Sequence, residues 1–233
     1  MPYRRLPNTD KARITALEKA VAMEHEYDVG QQAASYKTLN EARAFLRKFK
    51  SAVDQFQYCY TAQAEANRQY QAHLKMARLY ISHFIQVLNL AVVRNEVRKE
   101  HKLFYGLEPD DFTVPDLTSE KHILVWGERL IEGERERLSH GGAPIYNPTI
   151  AKVTVHYDIF KDAYREQQNY KLNTTRSQSG LDALRKEADR IILDLWNQVE
   201  TYYADLPPEI RLARCRDYGI IYYYRSGEKQ PEK

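Results

Sequence analysis

The chain has little of what most enzymes and secreted modules are built from. Its 233 residues include two cysteines, nine glycines and nine prolines. Cys59 and Cys215 lie far apart and follow no Cys-x-x-Cys spacing. That argues against a disulfide framework and fits a reducing compartment. So few turn residues argue against an all-β fold. No Gly-x-Ser-x-Gly, no Gly-x-Gly-x-x-Gly and no phosphate loop ending in Gly-Lys-Ser/Thr occurs, so nucleophile-elbow and nucleotide-loop chemistry has no foothold. A ferritin-like di-iron bundle needs Glu-x-x-His on two helices, because positions i and i+3 face one metal pair. No glutamate here is followed three residues later by histidine. The expectation is a protein with no catalytic residue, no metal and no cofactor.

Long apolar runs are also missing. The most apolar stretch, 81–93, is broken by Ser82, His83, Gln86 and Asn89, too short and polar to span a bilayer. The opening residues, MPYRRLPNTDKAR, contain no apolar core of signal-peptide length. A soluble, cytoplasmic protein is expected. Charge is nearly balanced, at +3 with a pI of about 8.7, short of the concentrated positive charge of a dedicated DNA binder. At 43% hydrophobic the chain is too apolar for wholesale disorder. Tyrosine is plentiful, with 18 copies. Its apolar body and polar tip suit narrow, partly wet helical seams.

What is present is a heptad, stated twice. The first seam runs Leu39, Ala42, Leu46, Phe49, Val53, Phe56, Tyr60, Gln63, Asn67, Tyr70, Leu74, Ala77, Ile81, Phe84, Leu88, Ala91. The second, displaced by 111 residues, runs Ile150, Val153, Tyr157, Phe160, Tyr164, Gln167, Lys171, Thr174, Gln178, Leu181, Arg185, Ala188, Ile192, Leu195, Val199, Tyr202. Both are apolar at the ends and polar in the middle. A seven-residue repeat held this long predicts helices supercoiled against a partner. A shorter helix precedes each: 9–27, capped by Thr9 or Asn8, and 119–139, capped by Thr118 or Ser119. The starts Thr9-Asp10-Lys11 and Ser119-Glu120-Lys121 echo one another.

The expected fold is therefore all-α: an elongated helical bundle or antiparallel coiled coil of two duplicated short–long hairpins. An N-terminal arm covers 1–8, the hairpins 9–105 and 117–206, and a tail 207–233. The first long helix is expected over 37–101, with no Gly or Pro to stop it, and would extend ~95 Å at 1.5 Å per residue. Asn147-Pro148 reads as N-cap and first residue of the second, which runs to about 205. A kink or break near Gly180 is expected, where 173–180 is poor in helix formers. In the tail, a short helix over 209–216 is followed by Ile220-Ile221-Tyr222-Tyr223-Tyr224, a strand-like run that needs a partner. The N-terminal arm or another subunit would supply it.

Three sets of residues are candidates for function. Gln63, Asn67, Lys171, Thr174 and Gln178 form a polar seam centre, meeting if the long helices pack antiparallel with midpoints in register. They would fix register or line a ligand cavity. Tyr218, Ile220, Ile221, Tyr222, Tyr223, Tyr224 and Arg225 form an interaction tail, and Tyr3, Arg4 and Arg5 an N-terminal arm. Basic clusters at Arg43/Arg47/Lys48/Lys50, Arg94/Arg98/Lys99/Lys102 and Arg211/Arg214/Arg216/Arg225 are interspersed with acids, as on solvated helix faces. The expected function is a non-enzymatic structural or scaffolding subunit that self-associates through helical seams and termini. The alternatives are a nucleic-acid-associated protein using the basic faces, and a metal- or small-molecule-binding bundle using the seam centre.

Overall fold

Thr9 starts the first helix as its chemistry dictates: its Oγ1 accepts from the Ala12 amide at 3.1 Å, satisfying one orphan donor. The computed structural model describes residues 2–23 and 32–224. It is an all-α helical bundle with one minimal ladder. The elements are β1 (Tyr3–Arg4), α1 (Asp10–Ala22), α2 (Tyr36–Val93), a 3-10 helix (Lys99–Tyr105), α3 (Glu120–Ser139), α4 (Ile150–Tyr202), α5 (Pro208–Asp217) and β2 (Tyr222–Tyr223). The end expected for the first helix, at residue 27, falls outside the described residues.

The chain packs as two units that cut across both long helices: Met1–Tyr60 with Asn173–Lys233, and Thr61–Leu172. In the first unit the start of α2 and the end of α4 run antiparallel, with Thr38 on Asp194 at 3.3 Å and Lys48 on Glu187 at 3.9 Å. Leu17 of α1, Leu39 and Phe49 of α2, and Ile192, Leu195 and Trp196 of α4 form the core together with Cys215 and Tyr218. Each of the leucine, isoleucine and phenylalanine side chains contributes about 1.5–3 kcal/mol on full burial. Two arginine–carboxylate forks lash α1 to α4: Arg13 to Asp189 at 2.8 and 3.0 Å, and Arg185 to Asp10 at 2.8 and 2.6 Å.

In the second unit the end of α2 packs against the start of α4. Tyr70 meets Phe160, and Tyr80 stacks on His156 with ring centroids 4.1 Å apart. Ile81, Phe84, Leu88, Ile123, Leu130, Val153 and Tyr157 are buried together. Gly127 lets α3 lie against α4, since a Cβ there would come within 2.2 Å of the Tyr157 ring. The Tyr157 hydroxyl then donates to the Leu124 carbonyl at 2.9 Å. Arg78 donates to the Leu117 and Thr118 carbonyls at 2.9 and 3.0 Å, holding the loop before α3.

Several boundaries differ from expectation for local reasons. The first long helix stops at Val93, not near 101, because Asn95 takes a left-handed φ of 58° and the Glu96 amide turns back to the Ala91 carbonyl. Asparagine supports that conformation without glycine. Asn147 also has a positive φ, 53°, and its bond to Pro148 is cis. It therefore precedes the helix instead of capping it, and the Thr149 carbonyl takes the Val153 amide at 3.3 Å. Helix α3 ends at Ser139, where expected, followed by His140 as C-cap and Gly141 at φ 85°. Helix α4 runs without interruption through Gly180, which is exposed. Most apolar residues of the seam ends are buried, with Val53, Phe56 and Ile150 half-buried, but Tyr60 and Tyr202 are 57% and 51% exposed. Tyr60 lies in the wet middle of α2, and Tyr203 takes the core position beside Tyr202.

By length and composition alone, α2 contains an 18-residue window apolar enough to cross a membrane, with mean hydropathy 1.4, of which 44% is buried.

Candidate functional site

Alanine at 62, 66 and 163 leaves space between α2 and α4 in the second unit. The result is a cavity of about 230 Å³. Its lining also includes Glu65, Gln69, Tyr70, Glu166, Gln167 and Tyr170. Tyr70 is 3% exposed, and its hydroxyl has no hydrogen-bond partner. The Glu120 carboxylate of α3 sits beside that hydroxyl. Burial first, and then this negative charge, push the phenol pKa up. Gln167 donates from Nε2 to Asn67 Oδ1 at 3.2 Å, which leaves its own Oε1 buried and unpartnered. Buried polar atoms without partners are uncommon, and two of them belong to the lining of one cavity.

The five residues of the expected polar centre divide between the units. Gln63, Asn67 and Lys171 lie in the second, Thr174 and Gln178 in the first. Thr174 is buried and donates to the Cys59 carbonyl at 3.2 Å. Gln63 is half-buried, while Asn67, Lys171 and Gln178 are exposed. Water therefore reaches most of this seam, and half-buried Gln167, a seam residue outside the expected polar centre, carries a buried oxygen. Glu65 bonds Arg68 at 3.2 Å at the surface.

The tail and arm find each other. Tyr3 pairs with Tyr223 and Arg4 with Tyr222 in an antiparallel ladder, and the Arg5 amide reaches the Ile221 carbonyl at 3.4 Å. Glu200 of α4 accepts from Arg4 at 2.8 Å and from the Tyr222 hydroxyl at 2.7 Å. Arg4 also bonds Asn197. Ile220 and Tyr218 are buried, and the Tyr218 hydroxyl accepts from the Ala33 amide at 3.3 Å. Ile221 and Tyr223 stay exposed, and Tyr224 is half-buried. Arg225 lies outside the described residues. Burial raises the Cys215 thiol pKa, keeping it protonated.

One buried polar network went unnoticed in the sequence. Arg137 of α3 donates to Glu134 at 3.0 and 2.9 Å, to the Tyr105 hydroxyl at 2.7 Å and to the Ala143 carbonyl at 2.7 Å. Glu134 also accepts from the Tyr105 hydroxyl and from the Ile145 amide at 3.1 Å. All three side chains are at most 1% exposed. The Glu-x-x-Arg spacing on an amphipathic helix was the available signal, but it is shared with countless surface ion pairs. Nearby, Lys102 is fully buried. It donates to the Asp111 carbonyl and lies 4.4 Å from the centre of the Phe112 ring. Burial lowers its pKa, against the opposing pull of Asp111 and Asp110. With every oxygen of Glu134 engaged, the network ties the 3-10 helix, α3 and the 143–145 segment together.

No protein-family model, curated protein or solved structure matches the chain. Function has to be argued from these residues. Among the described residues no group of three or more His, Cys, Asp or Glu side chains converges as metal ligands would. Members of two expected basic clusters are ion-paired: Lys48 with Glu187, Lys50 with Glu18, Arg94 with Glu96 and Lys99 with Asp110.

Proposed function

We propose that this chain is a non-enzymatic structural subunit that self-associates through helical faces. The carrying observation is a second, outward stripe on α2. Leu79, His83, Gln86, Leu90 and Val93 are all exposed, with Leu79, Leu90 and Val93 at 54%, 53% and 64%. Their spacing of four and three residues is that of a heptad seam. No Asp, Glu, Lys or Arg occurs from 79 to 93. A face without charge of either sign suits its own copy. In an antiparallel two-fold pairing about Gln86, Leu79 of one copy meets Val93 of the other. The polar His83 and Gln86 favour a protein partner, where they set register, over a lipid surface. The tail enters this reading as a clasp within the chain, because its strand residues already pair with the arm.

The finer architecture belongs to the same proposal: two duplicated short–long hairpins whose long helices form an antiparallel coiled coil. Matching caps support it. Ser119 accepts from the His122 amide at 3.1 Å as Thr9 does from Ala12, and an acid follows each cap. Cytoplasmic placement and the lack of a spanning segment also remain part of the proposal.

One fifteen-residue stripe is small beside the ~800 Å² per partner of a standard interface, so the dimer should be weak and concentration-dependent. Light scattering on size-exclusion fractions tests this. A mass rising above 27.4 kDa with concentration, and held at 27.4 kDa by Leu90→Lys with unchanged helicity, is expected. A wild-type mass fixed at 27.4 kDa throughout, or binding of the wild type to phosphatidylcholine vesicles in place of itself, overturns it.

A further inference from the structure

We infer that the alanine-lined cavity of the second unit is a binding site for a small organic ammonium ion. The inference goes beyond self-association and rests on different residues. Two residues of its lining carry buried oxygen atoms without hydrogen-bond partners. Gln167 Oε1 is buried and unpartnered, and the Tyr70 hydroxyl oxygen is buried and unpartnered as well. Glu65 and Glu166 add carboxylates to the lining. Glu65 is shared with Arg68, whereas Glu166 has no ion pair among the described residues. An ammonium group is all donor and carries the complementary charge, so it can satisfy amide, phenol and carboxylate oxygens together.

The remaining lining fits the organic part of such an ion. Ala62, Ala66 and Ala163 present methyl groups, and Tyr70 and Tyr170 present rings. Aromatic faces attract alkylammonium cations through their quadrupoles. A bare metal ion fits poorly, since no cluster of three or more His, Cys, Asp or Glu side chains forms among the described residues. The volume of about 230 Å³ is below the ~300–1,000 Å³ of drug-sized pockets, which limits the ligand to a short chain. The same space would take about eight waters at ~30 Å³ each, so water is the competing occupant.

The experiment is calorimetric titration and thermal melting of the full chain with butylammonium chloride. Its controls are 1-butanol, of similar size without charge, and sodium chloride at equal ionic strength. Saturable binding and a raised Tm with butylammonium alone are expected. Glu166→Gln, at an exposed position, should weaken that binding by roughly fivefold, the upper end of an exposed ion pair's worth. Ala163→Leu should abolish it by filling the space. If Ala163→Leu unfolds the unit, Glu166→Gln and the alcohol control still decide. Equal binding of 1-butanol, an unaffected Glu166→Gln variant, or no heat with either probe overturns the inference, the last outcome leaving water as the occupant. None of these results alters the mass readout for self-association, so the two proposals fail separately.

Discussion

Removing Arg137 should be the most damaging single substitution in the second unit. In Arg137→Met the unbranched apolar stem is kept without the guanidinium, and Glu134 loses two of its donors, at 3.0 and 2.9 Å, in a site at most 1% exposed. The Tyr105 hydroxyl and the Ile145 amide stay within reach of the carboxylate. Neither carries charge, so a buried anion remains without a counter-ion. Removing one partner of such a pair costs about 3–5 kcal/mol. Loss of the bond to the Ala143 carbonyl adds about 1 kcal/mol. Taking out both charges in Glu134→Leu/Arg137→Met removes the unpaired anion, and replacement by apolar residues of similar volume is often nearly neutral. The double variant should therefore recover stability relative to Arg137→Met, a coupling only a double-mutant cycle reveals. Urea unfolding followed by circular dichroism, with a second probe at Trp126 to resolve the two units, is the assay. A loss under about 1 kcal/mol in Arg137→Met, or a double variant no better than the single one, would refute the reasoning.

Two glycines on helices should respond in opposite directions in thermal melting. Gly180→Ala meets nothing within 4 Å and should stabilise by about 0.5–1 kcal/mol, whereas Gly127→Ala drives a methyl into the Tyr157 ring and should destabilise by about 1–3 kcal/mol. The hydrogen bond and charge of Arg185 hold the Asp10 carboxyl below its usual pKa, against the effect of burial. A depressed folded-state pKa contributes stability that is present above the unfolded value, about 3.9, and lost as pH falls through the folded one. Urea midpoints should accordingly decline below about pH 4 in the wild type, and less steeply in Asp10→Asn; identical slopes would remove Asp10 from the account.

The helices were legible where a repeated physical demand wrote them. Leu39, Ala42, Leu46 and Phe49 recur with the helical period because one face must leave water, and the structure buries all four. Thr9 and Ser119 announced helix starts because few residue types satisfy an orphan amide. What was not legible depended on single backbone conformations or on distance in sequence. Asn95 ends α2 by adopting a conformation that asparagine permits but does not require. Tyr105 and Arg137 meet only after α3 folds back, so no local pattern marks them. The cavity beside Tyr70 arises from three alanines that each look like ordinary helix formers. Its vacancy exists only when Ala62 and Ala66 face Ala163. The tail's need for a strand partner was readable from its β-propensity, though both the arm and a second chain satisfied it on paper.

The division of the chain has a consequence for how it comes into being. Thr61–Leu172 is one continuous stretch, whereas the other unit joins Met1–Tyr60 to Asn173–Lys233. During synthesis the inner stretch can collapse as soon as it emerges, using contacts between α2, α3 and the start of α4. The outer unit must wait with Leu39, Phe49 and Leu17 uncovered until Trp196, Cys215 and Tyr218 have been made. Contacts so distant in sequence form late and slowly, and an uncovered amphipathic helix is an invitation to misassembly. Folding of the inner unit closes much of the intervening loop in advance and so lowers the entropy that the outer unit must lose. The ladder between Tyr3 and Tyr223 then joins two strands that lie on either side of the inner unit in sequence.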